Sequence, residues 1–325
     1  MTSGGMQNIM LTIGIPTFNR RKVVVENLQS LMNRGVQNKH KILVIDNASP
    51  DNTYDTLKQN FGGVGIEILR NQSNLGIAGN FVELITQCRT EYLLVISDED
   101  QLSVNNLDEL VAFLRVVQPL FVSTQFYYDT GSGERLYRGC NKARVIRPKE
   151  FWSSSFYISG LVFNVQKARI SLEGLAEFLK NPSNIYPQVM LSADLMMEGT
   201  SYFWNKPISS KKYQLPTYIE SEGHKKYYHV CARWEQYKAF ESFLEKRVKN
   251  SENAVNNKKK AIAIEMLNAH NRRLFYTIIG AAESELPGSK KVLIDSALRY
   301  VTSAVLKKPF RLLRSFFRRH SVKNR

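Results

Sequence analysis

No stretch of this 325-residue chain approaches the run of about 18 apolar residues that a membrane-crossing helix needs. The first residues also lack a basic segment followed by a long apolar one, so a secreted or membrane-spanning protein is not expected and a cytoplasmic one is. Cysteine is scarce: the three, at positions 88, 140 and 231, fit no metal-binding spacing and are consistent with a reducing compartment. Cys88 falls on the apolar face of a helical pattern, where packing accounts for it. Carboxylates are outnumbered, with 29 Asp and Glu against 45 Lys and Arg and a net charge of +16, so an anionic partner is expected. Internal repeats and low-complexity tracts are absent. The length suffices for one large or two modest domains with a real core.

What the chain does have is a repeated arrangement of apolar runs that stop in polar residues. Met10 to Ile15 stops at Pro16-Thr17-Phe18-Asn19, Ile42 to Ile45 at Asp46-Asn47-Ala48-Ser49-Pro50-Asp51, and Tyr92 to Ile96 at Ser97-Asp98-Glu99-Asp100. Helical spacing follows in Val24, Leu28, Leu31 and Met32, in Phe81, Leu84, Ile85 and Cys88, and in Leu107, Leu110, Val111 and Leu114. Ser49 with Pro50 reads as the N-cap and first residue of a helix over 51–61. Alternating strands and helices predict an α/β fold with a mostly parallel sheet, whose ligands gather beyond the carboxyl ends of the strands. Alternation along an extended backbone turns Asp98 and Asp100 the same way and Glu99 the other, so the pair could share a divalent cation and a polyphosphate.

The strings Thr12-Ile-Gly-Ile-Pro-Thr-Phe-Asn-Arg20, Leu43-Val-Ile-Asp-Asn-Ala-Ser49, Arg70-Asn71 with Asn74-Leu75-Gly76, and Ser97-Asp-Glu-Asp100 closely resemble the family 2 glycosyltransferases. Four motifs stand in the family's order over roughly residues 9–118, and beyond about 119 the resemblance is thin. It implies a GT-A fold, a nucleotide-diphosphate sugar donor (UDP-linked), Mg2+ or Mn2+, and inversion at the anomeric carbon. Carried over, Pro16, Thr17 and Asn19 lie at the nucleoside, Asp46 accepts from the ring N–H of a pyrimidine, and Arg70 and Asn74 lie near base or phosphates. Asp98 faces ribose and metal, and Asp100 ligates the metal, which offsets charge on the departing diphosphate. A hard cation held by few carboxylates and by phosphates fits Mg2+ or Mn2+ better than zinc.

The acceptor hydroxyl needs a base, and here the chain departs from the family. A Glu-Asp pair is expected before the glycine that ends a helix; if Gly199 is that glycine, Tyr186-Pro187-Gln188 stands in its place. Asp194 is the preferred substitute and Glu198 the second, with local pairing on the helix as the competing reading of both. His224 and His229, in Glu222-Gly-His-Lys-Lys-Tyr-Tyr-His229, could add a metal ligand from a later loop, as in several GT-A enzymes. Phe151, Trp152, Phe156, Tyr157, Tyr202, Phe203 and Trp204 could stack on sugar rings or pack a core. Ser159-Gly160 before Leu161-Val162-Phe163 marks a strand, either beside the acceptor cleft or simply buried.

The last residues account for part of the charge. Residues 301–325 hold eight Lys or Arg and no acid. On a helix, Phe310, Leu312, Leu313, Phe316 and Phe317 take one half and Arg311, Arg314, Arg318 and Arg319 the other, as for an in-plane helix on an anionic membrane. The competing reading is a helix packed on the protein with a solvated basic face. The organisation expected is a nucleotide-sugar half over 1–118, an acceptor half over 119–215 and a helical region over 216–325, with a linker near 250–260 and a break at 286–289. The function expected is a glycosyltransferase acting on a glycan or lipid-linked acceptor in bacterial surface polysaccharide synthesis, peripheral on the inner face of the cell membrane. A nucleic-acid-binding or scaffold protein would need no Asp98 or Asp100, and no nucleic-acid module is present. A sugar nucleotidyltransferase would need a Gly-rich, Arg-containing loop where Pro16-Thr-Phe-Asn-Arg-Arg21 stands.

Overall fold

The computed structural model describes residues 10–63, 65–129, 133–180, 184, 186–211, 230–249 and 257–270. His224, His229, the break at 286–289 and the basic segment 305–325 lie outside the described residues. The chain runs β1 (Leu11–Thr17), α1 (Arg21–Asn33), β2 (Lys41–Asp46), α2 (Thr53–Phe61), β3 (Ile66–Arg70), α3 (Gly76–Gln87), β4 (Tyr92–Val95), β5 (Asp100–Leu102) and α4 (Leu107–Val117). It continues through β6 (Phe121–Asp129), β7 (Glu134–Arg138), β8 (Arg144–Val145), α5 (Phe151–Ser155), β9 (Leu161–Asn164), α6 (Val165–Leu179), α7 (Pro187–Glu198), β10 (Ser201–Lys211) and α8 (Val230–Lys249). Residues 257–270 are also helical, so 257–260 extend a helix where a linker was expected.

One sheet carries all the strands, in the order β3-β2-β1-β4-β9-β6-β10-β5, with β7 beside β6 and β8 beside β10. The first four strands are parallel, as the βα alternation predicts. The reversal comes at β9, antiparallel to both β4 and β6, and it returns β6 and β10 to the direction of β1. Short β5 then closes antiparallel on β10, pairing Asp100 with Lys211.

Both faces of the sheet are covered, and the strand period of two sorts side chains between them. Leu43, Ile45, Leu93, Val95, Leu161 and Phe163 face a core completed by α3, α6 and α7. Ile42, Val44, Leu94, Ile96, Val122 and Val162 face the other, completed by α1, α2 and α4. The C-terminal helices belong to the first face: Phe240, Phe243 and Leu244 of α8 and Ala263 and Met266 beyond it are fully buried there. Ser49 is not the cap of α2. Its hydroxyl is taken by Asp46, and Asp51 receives the Thr53 N–H and hydroxyl at the helix start instead.

Two corners hold the strands around β9 in place. Gly160, just before β9, has φ +79, and a Cβ there would stand 2.4 Å from Thr124 Oγ1 and 2.9 Å from Ser209 Oγ. At the start of α5, Glu150 takes a two-pronged contact from Arg144, at 2.9 Å on each oxygen, and a third from Arg147 Nη2 at 2.7 Å. Burial pushes its carboxyl up, but the bonds from Arg147 and Arg144 outweigh it and hold the group well below the usual carboxylate range.

Gly160→Ala is expected to lower stability by about 2 kcal/mol or more, through strain and the clash with Thr124; a urea midpoint equal to that of the parent protein would refute it. Because its folded pKa is depressed, Glu150 stabilises the fold above its unfolded value of about 4.3 and loses that contribution as pH falls. The stability gap between the parent protein and Glu150→Gln should therefore shrink below about pH 4, and a gap that is constant from pH 6 to 3 would refute the assignment.

Candidate active site

The carboxyl ends of β1, β2 and β4 meet at one edge of the sheet. β1 and β2 run in register to their last residues, Thr17 opposite Asp46, with Pro16 opposite Ile45. The chain then turns sharply at Asn19 and Ala48, both in the left-handed region with φ 54 and 60. The Asn19 N–H donates to Ser49 Oγ at 2.8 Å, tying the two turns together. Asp46, fully buried, accepts the Ser49 hydroxyl and the Ser49 N–H at 3.2 Å. Burial raises its carboxyl, against the pull of these bonds and of Arg70, whose Nε lies 3.6 Å away. Arg70, 41% exposed in its side chain, also donates from Nη2 to the Ser49 carbonyl at 3.3 Å and lies 5.6 Å from the Tyr54 ring centroid.

Beneath Asp46 lies a network of amides. Asn47 donates to Asn74 Oδ1 at 2.8 Å and accepts from Asn71 and from the Leu75 N–H; Asn71 also donates to Asn80, which reaches the Ile45 carbonyl. Asn74 is thus spent on shaping the turn into α3, where it also accepts the Gly76 N–H. The sequence singled out Asn74 but not Asn47, whose burial at the centre of the network marks it as the organising residue.

Asp98 and Asp100 do not follow the expected strand alternation. β4 ends at Val95, and the Asp100 N–H closes a turn onto the Ser97 carbonyl at 3.1 Å, so the two carboxylates take different partners. Asp98 accepts the Thr17 hydroxyl at 2.7 Å and Arg20 Nη1 at 2.8 Å. The Thr17 hydroxyl is thus donated to Asp98, and its carbonyl accepts the Asn47 N–H at 2.9 Å. Asn27 fixes the segment by donating to the Asp98 and Asp100 carbonyls at 3.0 and 2.8 Å. Glu99 is no idle strand-end charge: it pairs with Lys211 at 2.6 Å and stands 3.8 Å from Arg20.

Asp100 is fully buried and accepts from two hydroxyls, Tyr157 at 3.1 Å and Ser159 in a short bond. Ser159 Oγ in turn accepts the Ser97 N–H at 2.8 Å. Burial and nearby Glu99 push the Asp100 carboxyl up to about 7, against the Ser159 and Tyr157 bonds and Lys211. Arg20 pairs with Asp98 and Arg70 lies beside Asp46, while Asp100 has Lys211 as its nearby cation. Among the described residues no three His, Cys, Asp or Glu converge into a ready cage. A cation here would rest on Asp100 and on oxygens supplied by its ligand, which fits Mg2+ or Mn2+ chemistry.

Asp194 and Glu198 are not brought to this edge. α7 approaches it with its first turn, where Gln188 Nε2 donates to the Phe156 carbonyl at 3.0 Å, next to Tyr157. At 1.5 Å of rise per residue, Asp194 lies about 9 Å and Glu198 about 15 Å further along the helix. The far end of α7 meets the opposite edge of the sheet, where the Leu120 N–H bonds the Thr200 carbonyl just before β6. Asp194 instead pairs with Arg247 of α8 at 2.7 Å, and Glu198 with Lys259 at 2.6 Å. Most of the aromatic residues pack internally: Trp152 lies against Phe156, Tyr186 and Phe240, while Tyr202 and Trp204 contact Phe113. Tyr157 is the one of the seven that reaches Asp100.

Residues 12–164 match the family model described as Glycosyl transferase family 2. Abequosyltransferase RfbV of Salmonella typhimurium is 26% identical over 148 residues, which is 44% of this chain and 41% of that protein's length. The structure of TarS from S. aureus in complex with UDP-GlcNAc superposes with a TM-score of 0.63 at 14% identity, over 96% of this chain and 92% of that one. The mannosyltransferase PcManGT from Pyrobaculum calidifontis, in complex with GDP-Man and Mn2+, gives a TM-score of 0.51 at 15% identity, over 95% and 84% of the two chains. At such identities the two structures speak for the fold alone, and the curated relative is spanned over less than half its length. Residues 12–164, where all four motifs and their carboxylates lie, match the family 2 glycosyltransferase model, and the chain has the GT-A fold of the two solved structures.

Proposed function

We propose that this protein is an inverting, metal-assisted glycosyltransferase that moves a sugar from a UDP-linked donor to a glycan or lipid-linked acceptor in bacterial surface polysaccharide synthesis. The observation that carries the reading is the meeting of Asp46, Asp98 and Asp100, from two separate motifs, at one sheet edge with their donors already fixed. The similarity to an abequosyltransferase and the fold shared with a UDP-GlcNAc complex favour the same conclusion.

In this reading Asp46 keeps a lone pair for the ring N–H of a pyrimidine, and Arg70 closes over that base from β3. Pro16, Thr17 and Asn19 present backbone to the nucleoside. Asp98, aligned by Thr17 and Arg20, accepts from the ribose, and Asp100 holds the diphosphate end together with Mg2+ or Mn2+. The cation, when bound, neutralises charge on the departing diphosphate. Inversion has the acceptor hydroxyl attack the anomeric carbon from the face opposite the diphosphate. Asp194 and Glu198, held by Arg247 and Lys259, do not supply the base from where they stand.

The basic segment 305–325, whose sequence pattern is that of an amphipathic helix, belongs to the same proposal as an anchor on an anionic membrane; no described helix is long and apolar enough to cross one.

Asp100→Asn should cut turnover by a hundredfold or more, roughly the range of lost transition-state stabilisation at such sites, and weaken Mn2+-dependent UDP binding measured calorimetrically. Equal nucleotide affinity and full turnover would overturn the reading. Asp194→Asn should instead lower thermal stability and leave the turnover of the folded fraction near normal; a large selective loss of turnover would restore Asp194 as the base. Deleting 305–325 should release the protein from anionic liposomes while sparing activity on a soluble acceptor, whereas unchanged sedimentation would refute the anchor.

A further inference from the structure

We propose that Arg138 is a positioning residue for the diphosphate end of the site, acting on Asp100 through the Tyr157–Gly160 loop; this rests on the role given to Asp100 above. Arg138 ends β7, in a hairpin no motif marks, and only 4% of it is exposed. Its guanidinium donates from three nitrogens to three carbonyls: Nε to Thr124 at 3.1 Å, Nη1 to Tyr157 at 2.5 Å and Nη2 to Ser159 at 2.5 Å. One of these acceptors is on β6 and two are on the loop, so the planar fork fastens loop to sheet in a single orientation.

The two carbonyls it grips belong to the very residues whose hydroxyls meet Asp100. Gripping the backbone at both positions sets where those hydroxyls point. Two further contacts make the arrangement rigid. Phe126 stacks between the parts, its ring centroid 4.4 Å from that of Tyr157 and 5.9 Å from the guanidinium carbon. Gly160 then returns to the sheet through its N–H on Val95, at 2.9 Å, and its carbonyl on Thr124. Any side chain at position 160 would enter the space of Arg138 Nη2, 3.0 Å from the built Cβ. The guanidinium thus does for the loop what outer partners do for metal ligands elsewhere: it fixes the groups that fix the ligand.

Arg138→Lys and Arg138→Gln each retain a donor for one carbonyl and lose the bridge, and having both guards against one being rejected by the core. In the metal-free protein, hydrogen exchange over residues 156–161 should quicken in either variant while residues 42–46 keep their protection. Mn2+ affinity, by calorimetry, should fall about 10–100-fold. The loss in Arg138→Lys combined with Ser159→Ala should be smaller than the sum of the two single losses, because the arginine acts through that serine. Unchanged exchange over 156–161, or losses that add independently, would overturn the proposal. Asp100→Asn separates the two claims: if it binds Mn2+ as tightly as the parent protein, the site reading fails, and the exchange measurement, which involves no metal, still decides whether Arg138 holds the loop.

Discussion

Burying carboxylates at the end of a strand is the constraint on which the site depends. Asp46, Asp98 and Asp100 are all but sealed from water, and taking each charge out of water costs several kcal/mol even after the surroundings relax. Each is compensated differently. Asp98 has a guanidinium and a hydroxyl, Asp46 a hydroxyl, an N–H and a more distant guanidinium, and Asp100 two hydroxyls. Burial pushes all three carboxyls up, that of Asp100 to about 7.

Ser49 serves Asp46 locally, but the other compensations are not local in the chain. Thr17 meets Asp98, Ser159 meets Asp100 and Lys211 meets Glu99 only because β1, β4 and β10 end, and reversed β9 begins, at the same edge. The reversal at β9 is what matters most for chemistry. A parallel strand there would begin at the opposite edge, whereas the antiparallel strand begins at this one and brings its leading loop, Tyr157 to Gly160, against Asp100. The glycine at the end of that loop permits the approach, since no side chain fits between Thr124 and Arg138.

The βα order, both faces of the sheet and the residues at its carboxyl edge were legible in the sequence because they rest on local signals: period-two apolar runs, helical spacing and motif order. Asp46, Asp98 and Asp100 were found that way. The separate hydrogen-bond partners of Asp98 and Asp100 were not, because they hang on a turn at Ser97 that ends the alternation. Ser159 was noted only as a strand marker, and Arg138 carried no signal at all, since its role exists only through three carbonyls supplied by distant segments. Buried arginine in a short hairpin is a pattern visible only once burial is known.

The acids of α7 show why composition near a site misleads. Asp194 and Glu198 looked available because they follow the position where the family places its acidic pair. In the fold they serve the C-terminal helices. Asp194 pairs with Arg247 of α8 in a buried contact whose loss would strand a charge in the core, a severe cost, while the exposed Glu198–Lys259 pair contributes little. Both ion pairs join α7 to the helices beyond residue 230, along the face where Phe240, Phe243 and Met266 are buried. A carboxylate that fastens the helical appendage would have to break its ion pair before it could meet an acceptor hydroxyl, so position next to a motif does not by itself make an acid available.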